Sequence, residues 1–264
     1  MKKALLSLLY HDVTDNPESS GFQGGRTIDY THTEDDFDLH LQTIMDAGHP
    51  IRRVSELTPR RSLPPTFLLT FDDGGASAMH IAERLDGHHV KGHFFITTDR
   101  IGTKGFLTCE ELVDLHQRGH VIGSHSHTHP DIFSSLSLDE ATREWSKSRS
   151  ILEKILKTKV NTASVPGGDM DDTTIMAAAK AGIEFLFCSK PTTAPWAAHG
   201  VLILGRICPK RTAPLSDVQT FVKFEGIWKE RLKWTSKSAA KSLLAPLYKR
   251  IVSNRRKTID GNHA

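Results

Sequence analysis

The sequence predicts an α/β fold on a mainly parallel sheet that can close into a barrel. Three observations support this. Seven short apolar runs, at 5–10, 66–71, 92–97, 120–124, 161–165, 184–188 and 201–205, have the length and composition of strands. Helix-forming stretches with their own start and stop signals separate several of them, and strands joined through helices pair in parallel. With 264 residues and 38% hydrophobic content, the chain can bury one large α/β core.

Each element has a local justification. Met1-Lys2-Lys3 followed by a short apolar run superficially resembles the start of a signal peptide. The run leads into Tyr10-His11-Asp12 with no small-residue cleavage site, so 5–10 is expected to be the first strand. Residues 14–29, rich in Gly, Ser, Asn and Pro, form a loop after it. Thr33 precedes a helix over 34–47 that Gly48 closes. Thr108 and Glu111 make a capping box for a helix over 109–118, stopped by Gly119, and Ser137 with Glu140 does the same for 138–157. Asp172 precedes an Ala-rich helix over 173–181, closed by Gly182. No stretch approaches the ~20 apolar residues of a membrane span. Cys109, Cys188 and Cys208 are odd in number and lack a Cys-x-x-Cys, which argues against a disulfide framework or a thiolate zinc site and fits reduced thiols in the cytoplasm.

Two segments carry chemistry. Thr70-Phe71-Asp72-Asp73-Gly74 ends one predicted strand, and His125-Ser126-His127-Thr128-His129-Pro130 follows another. Strand ends are where α/β folds place their reacting groups. Singly, each has an ordinary alternative, an Asp-Gly turn or a solvated His-rich loop. Together they offer the carboxylates and imidazoles of a catalytic zinc site that keeps one position open. His125 and His129 are four residues apart, so one tight loop can aim both rings at one point. A metal there lowers the pKa of water and polarises a carbonyl, and a neighbouring carboxylate can act as base. Adjacent side chains on a strand point apart, so Asp72 and Asp73 have different jobs, although spacing alone does not say which has which. His127, between the two ligands, is expected to point away or to support them.

With these two motifs the chain resembles the polysaccharide deacetylases of carbohydrate esterase family 4, the NodB homology domain. Residues 70–74 match the family's T-F-D-D-G in full, and His125, Ser126 and His129 match its H-[ST]-x-x-H. The resemblance spans roughly 5–222. It implies a distorted (β/α) barrel of about seven parallel strands over 1–222, and the remaining 223–264 is read from its own composition as a basic helical tail. It makes Asp72 the catalytic base, and Asp73, His125 and His129 the ligands of a divalent metal, with zinc favoured by ligand type. The third motif, R-x-P-Y-G, stands here as Ser164-Val165-Pro166-Gly167-Gly168. Ser164 replaces the Arg that holds the base. Gly167 replaces the Tyr whose backbone N–H serves the oxyanion hole, and a backbone donor survives that change. The fourth motif, Asp followed by Trp, has no clear match, and Trp196 is its nearest remnant. The fifth, L-x-H, supplies the general acid, but Arg206 stands at that His, and Arg cannot give up a proton at working pH. Tyr10-His11-Asp12-Val13 resembles the Y-H-x-V start of the poly-N-acetylglucosamine deacetylase branch, where a first-strand His takes the acid's place. The resemblance therefore makes His11 the acid and leaves Arg206 to restrain Asp72.

The C-terminal segment differs in kind. From Lys223 to Lys257 eleven Lys or Arg face two Glu, a local net of +9, and since the whole chain is +3 the remainder is −6. Ile227, Trp228, Leu232, Leu243, Leu244, Leu247 and Ile251 approximate a helical stripe, and Pro246 starts a new helix or kinks this one. Such a segment can lie on an anionic membrane or pack on the barrel with a solvated basic face. No nucleic acid partner is expected, because no recognised binding motif accompanies the charge.

The expected activity is metal-dependent removal of an N-acetyl group from an amino-sugar glycan or glycan precursor, releasing acetate. A cytoplasmic location, with peripheral contact at the inner face of the membrane through 223–257, fits a lipid- or nucleotide-linked precursor. The alternatives are a deformylase of a lipid-linked formamido sugar and a non-catalytic glycan-binding protein on the same fold. Intact Asp72, Asp73, His125 and His129 argue against the second, because buried charges are costly to keep.

Overall fold

The computed structural model of the chain describes residues 4–24, 27–57 and 64–243. Its strands are β1 (Leu5–Tyr10), β2 (Thr66–Phe71), β3 (His93–Ile96), β4 (Val121–Ser124), β5 (Thr162–Ser164), β6 (Phe185–Cys188), β7 (Trp196–Ala198) and β8 (Val201–Ile207). All but β7 pair in parallel, in the order β1-β2-β3-β4-β5-β6-β8. β8 returns to β1, with Ser7 opposite Arg206 and Leu8 opposite Ile207, and this closes a barrel of seven parallel strands. The seven expected strands are all present. β7 was not anticipated: it is three residues antiparallel to the start of β8, too short to show a period.

The helices are α1 (Glu34–Asp46), α2 (Ala78–Gly87), α3 (Cys109–Gln117), α4 (Leu138–Leu156), α5 (Asp172–Lys180), α6 (Leu215–Phe221) and α7 (Ile227–Leu243). Thr33 caps α1, and Thr108–Glu111 and Ser137–Glu140 close both expected capping boxes. α5 starts one residue earlier than expected. Asp171, not Asp172, is its cap and accepts from the Thr174 N–H at 2.8 Å. The sequence does not announce α2, because the hydroxyl of Ser77 at its N-cap is spent on Asp12 and caps nothing. α6 follows Pro214 without a side-chain cap and is only seven residues long. Pro246 and the stripe residues beyond Leu243 lie outside the described residues.

Strand parity positions the site. Side chains alternate between the two faces of a strand. Leu5, Leu68, Phe95, Phe187 and Leu204 meet inside the barrel, with Val54 among them. Phe67, Leu69, Phe71, Phe94 and Ile122 instead join the layer under the helices with Ile81, Leu85 and Leu112. Fully burying such a side chain stabilises the fold by roughly 1.5–3 kcal/mol. The interior is tight at Gly123, where a Cβ would come within 2.6 Å of the Phe95 ring and 2.7 Å of Thr162 Oγ1. Continued by twos to the strand ends, the inward parity reaches His11 from Leu5, Asp72 from Leu68, His125 from Gly123, Ser164 from Thr162 and Arg206 from Leu204. One rim of the barrel therefore receives these residues from five different strands.

Candidate active site

The loops leaving β2 and β4 are shaped to converge. Asp73 and Gly74 adopt left-handed φ of 77° and 81°, and Ser126 and His129 adopt 66° and 53°. Left-handed backbone at three non-glycine residues in one place is a strain that surrounding structure must enforce. The enforcement is visible. The Ser126 hydroxyl accepts from the His129 N–H at 3.0 Å, and the Glu144 carboxylate on α4 accepts from the N–H groups of His127 and Thr128 at 2.9 and 2.8 Å.

As a result, Asp73 Oδ1 lies 3.4 Å from His125 Nε2 and 3.6 Å from His129 Nε2. One ligand atom from each of the three residues lies within 4.8 Å of the others. His125 Nδ1 is occupied elsewhere, 2.6 Å from Ser164 Oγ and 3.1 Å from the Ser164 carbonyl oxygen, which leaves Nε2 facing the cluster. Two nitrogens and one carboxylate oxygen, with one ring oriented from behind, fit a zinc-like divalent cation. His127 turns away, its Nδ1 3.0 Å from Thr98 Oγ1.

Asp72 is 5% exposed and Arg206 2%. Arg206 Nη1 donates to Asp72 Oδ1 at 2.7 Å and Nη2 to Oδ2 at 2.8 Å, a bidentate clamp. The guanidinium carbon sits 5.8 Å from the Phe95 ring centre and 6.0 Å from that of Phe187. Ser164 Oγ donates to Asp72 Oδ1 at 3.0 Å. Burial alone would raise the Asp72 pKa, but the Arg206 charge, aided by His125, outweighs it and holds the carboxyl below its ordinary range. For Asp73 burial is again outweighed, here by the hydrogen bond from His125 and the charges of His11 and His129, and its pKa is low. The same carboxylates raise His125 against its burial, whereas burial and the neighbouring His125 charge lower His129.

His11 leaves β1 half-buried, its ring 5.2 Å from that of Tyr30. It is close enough for its charge to act on both Asp72 and Asp73, and its buried Nδ1 has no hydrogen-bond partner among the described residues. Gly167 sits in the 3-10 turn Pro166–Gly168 after β5 with φ 65°, beside the Asp131 carbonyl of the histidine loop. Trp196 pairs with Ile203, three residues before Arg206, and stands apart from this cluster.

Sequence reasoning missed three contributors. The role of Ser164, which joins a metal-ligand candidate to the base, was legible only from its inward parity on β5. Phe22 brings its ring 4.9 Å from that of His129 and 5.1 Å from that of Phe106. Asp12 ties down the loop that carries Phe22: its buried carboxylate accepts from Ser77 Oγ at 2.8 Å and from Ser20 Oγ, and burial raises its pKa.

A closed barrel of seven parallel strands, with Asp73, His125 and His129 converging beside an Arg-clamped Asp72, is a NodB-like deacetylase barrel. Residues 60–186, just under half of the chain, match the model of the polysaccharide deacetylase family. Carbohydrate esterase family 4 deacetylases are metal-dependent. The chain is 24% identical over 193 residues to the protein YxkH of Bacillus subtilis (strain 168), covering 71% of this chain and 65% of YxkH. It is 29% identical over 128 residues to the peptidoglycan-N-acetylmuramic acid deacetylase PdaC of the same organism, covering 47% of this chain and 26% of PdaC. Thus it spans less than two thirds of either relative. The structure of the Streptococcus pyogenes deacetylase PplD in complex with acetate superposes with a TM-score of 0.70 at 24% identity, covering 83% of this chain and 97% of PplD, a likeness of fold.

Proposed function

We propose that this chain hydrolyses the N-acetyl group of an amino sugar in a glycan or glycan precursor, releasing acetate. The observation that carries the reading is the convergence of Asp73, His125 and His129 on one point with Asp72 clamped alongside. Those three residues would hold a divalent metal, with zinc the expected ion, which when bound would supply Lewis-acid polarisation of the acetamido carbonyl and lower the pKa of water.

The rest is the work of the chain's own atoms. Asp72 takes a proton from the attacking water. Its Oδ1 accepts from both Arg206 and Ser164, whereas among the described residues Oδ2 accepts only from Arg206 and lies 3.9 Å from His125 Nε2, toward the cluster. Oδ2 is therefore the atom that receives the proton. The Gly167 N–H donates to the oxyanion that develops on the carbonyl. His11 hands a proton to the departing amine, so that acetate and a free amino sugar leave. A positioned base and acid typically contribute 10²–10⁴-fold in rate.

The substrate we propose is lipid- or nucleotide-linked and is met in the cytoplasm. The free thiols of Cys109, Cys188 and Cys208 suit a reducing compartment, and no helix among the described residues is long and apolar enough to cross a membrane. The test is acetate release by the zinc-reconstituted chain from N-acetylglucosamine oligomers and from lipid- and nucleotide-linked N-acetyl amino sugars, with Asp72→Asn and His11→Ala alongside. Wild type is expected to release acetate and both variants to lose it. Formate released from formamido sugars, with no acetate from any substrate, would assign the site to deformylation. Wild-type inactivity on the whole panel would overturn the enzymatic reading.

A further inference from the structure

Helix α7 presents two different faces, and their phase around the helix is decisive. From Ile227 to Ser238 the half-buried residues are Ile227, Glu230, Trp234 and Ser238, and every other position is exposed. At 100° per residue these four fall within an arc of about 80°. That arc is anchored. Ile227 packs on the main core cluster, and Lys190 Nζ sits 6.0 Å from the Trp234 ring and 5.0 Å from that of Trp196. The rotation of the helix is therefore set, and the opposite face is presented outward.

That outward face carries Trp228 and Leu232, which are 65% and 61% exposed. The described residues expose four large apolar side chains, and these are two of them, one helical turn apart. Lys229 and Lys233 flank the pair on one side and Arg231 on the other, all exposed. Lys229 Nζ lies 5.8 Å from the Trp228 ring, and the Lys233 ammonium is matched by Glu230 at 2.6 Å. The nearby acids are Glu225, Glu230 and Asp217, and among the described residues no ion pair engages Lys229 or Arg231. The sequence continues with Lys249, Arg250, Arg255, Arg256 and Lys257, adding charge of the same sign.

We propose that α7 docks in the plane of an anionic lipid surface. Trp228 and Leu232 enter the headgroup layer, and Lys229 and Arg231 on either side of them meet lipid phosphates. Trp is the side chain best suited to that boundary, with an apolar body and one N–H donor. A second copy of the chain fits poorly, because an isologous contact would bring the same cations face to face. A nucleic acid would match the charge but leave the Trp–Leu crest against phosphates. The proposal is independent of catalysis.

The experiment is co-sedimentation of the full chain with vesicles of phosphatidylcholine alone and of phosphatidylcholine mixed with phosphatidylglycerol, at low and high salt. Quenching of tryptophan fluorescence by brominated acyl chains reads insertion. Binding is expected to the phosphatidylglycerol vesicles only, weakened by salt, with quenching. The double change Lys229→Glu and Arg231→Glu should weaken it at least about 25-fold, since each basic residue near such a surface contributes roughly fivefold. Leu232→Ser should weaken binding while Trp228 still reports, and Trp228→Ser should abolish the quenching. Melting temperatures matching wild type show that these surface variants fold. Equal binding to neutral vesicles, binding untouched by the variants, or no vesicle binding would each overturn the proposal. Self-association lost in the same variants would assign the face to a second copy instead.

Discussion

Replacing Arg206 by Met tests the design of the site at its most buried point. The change removes both Nη donors from Asp72 and keeps an unbranched apolar side chain between Phe95 and Phe187. Asp72 is then a carboxylate 5% exposed with only the Ser164 hydroxyl donating to it. Breaking a buried pair by deleting one partner costs about 3–5 kcal/mol. For a domain of this size, each kcal/mol lowers Tm by roughly 2–4 °C, so a fall of about 6–20 °C is expected. The cost arises because Asp72 is left uncompensated, so deleting it as well should relieve it. Asp72→Asn in the Arg206→Met background should cost much less than the sum of the single changes, with a coupling of at least about 2 kcal/mol in a urea double-mutant cycle. The Arg206→Met chain should also lose at least ~10² in kcat, because burial then pushes the Asp72 pKa up and it no longer serves as a neutral-pH base. Additive single-mutant costs, or Arg206→Met with a wild-type Tm, would refute the view that this pair is a mutual clamp.

Two further outcomes follow from the same geometry. Ser164→Ala removes the hydroxyl that donates to Asp72 and orients His125, and should lower zinc affinity or kcat by roughly 10–100-fold in chelator competition and turnover assays, while Ser164→Thr, which keeps the hydroxyl, should recover most of it. Full activity and affinity in Ser164→Ala would count against the link. His93 is buried inside the barrel, its Nδ1 2.9 Å from the Leu69 carbonyl oxygen and its Nε2 accepting from the Val54 N–H at 2.8 Å, an arrangement open only to the neutral ring. Burial lowers its pKa from 6.5 to about 4, so the unfolded chain takes up the proton first, and stability complete above pH 6.5 falls as pH drops toward 4. The loss attributable to this ring is on the order of 3 kcal/mol. Urea unfolding across that window should show the decline, and His93→Gln should flatten it in part, since His40 and His120 shift to the same level. An unchanged slope in His93→Gln would refute the assignment to His93.

The barrel was legible in the sequence because its signals are local. Apolar runs mark the seven strands, and Thr33, Thr108 and Ser137 mark helix starts through hydrogen bonds within three residues. The convergence of Asp73, His125 and His129 could be expected from two motifs at strand ends. What stayed hidden depends on distant pairings. Ser164 meets Asp72 across 92 residues, and its hydroxyl gives no sign of that partner. Ser77 reads as neither cap nor ligand, because its hydroxyl is committed to Asp12 65 residues away. Phe22, in a loop read only by its Gly and Ser content, reaches His129 by tertiary folding that no period records.

The most direct test of the central claim is a calorimetric zinc titration of the metal-stripped chain, run beside acetate release on the same samples. The expected result is one zinc per chain, lost in Asp73→Asn and His125→Ala, and retained in Asp72→Asn, which nonetheless releases no acetate. Wild type should gain activity only as the site fills. Zinc uptake that ignores Asp73 and His125, or acetate release that persists in the metal-stripped chain, would contradict the account.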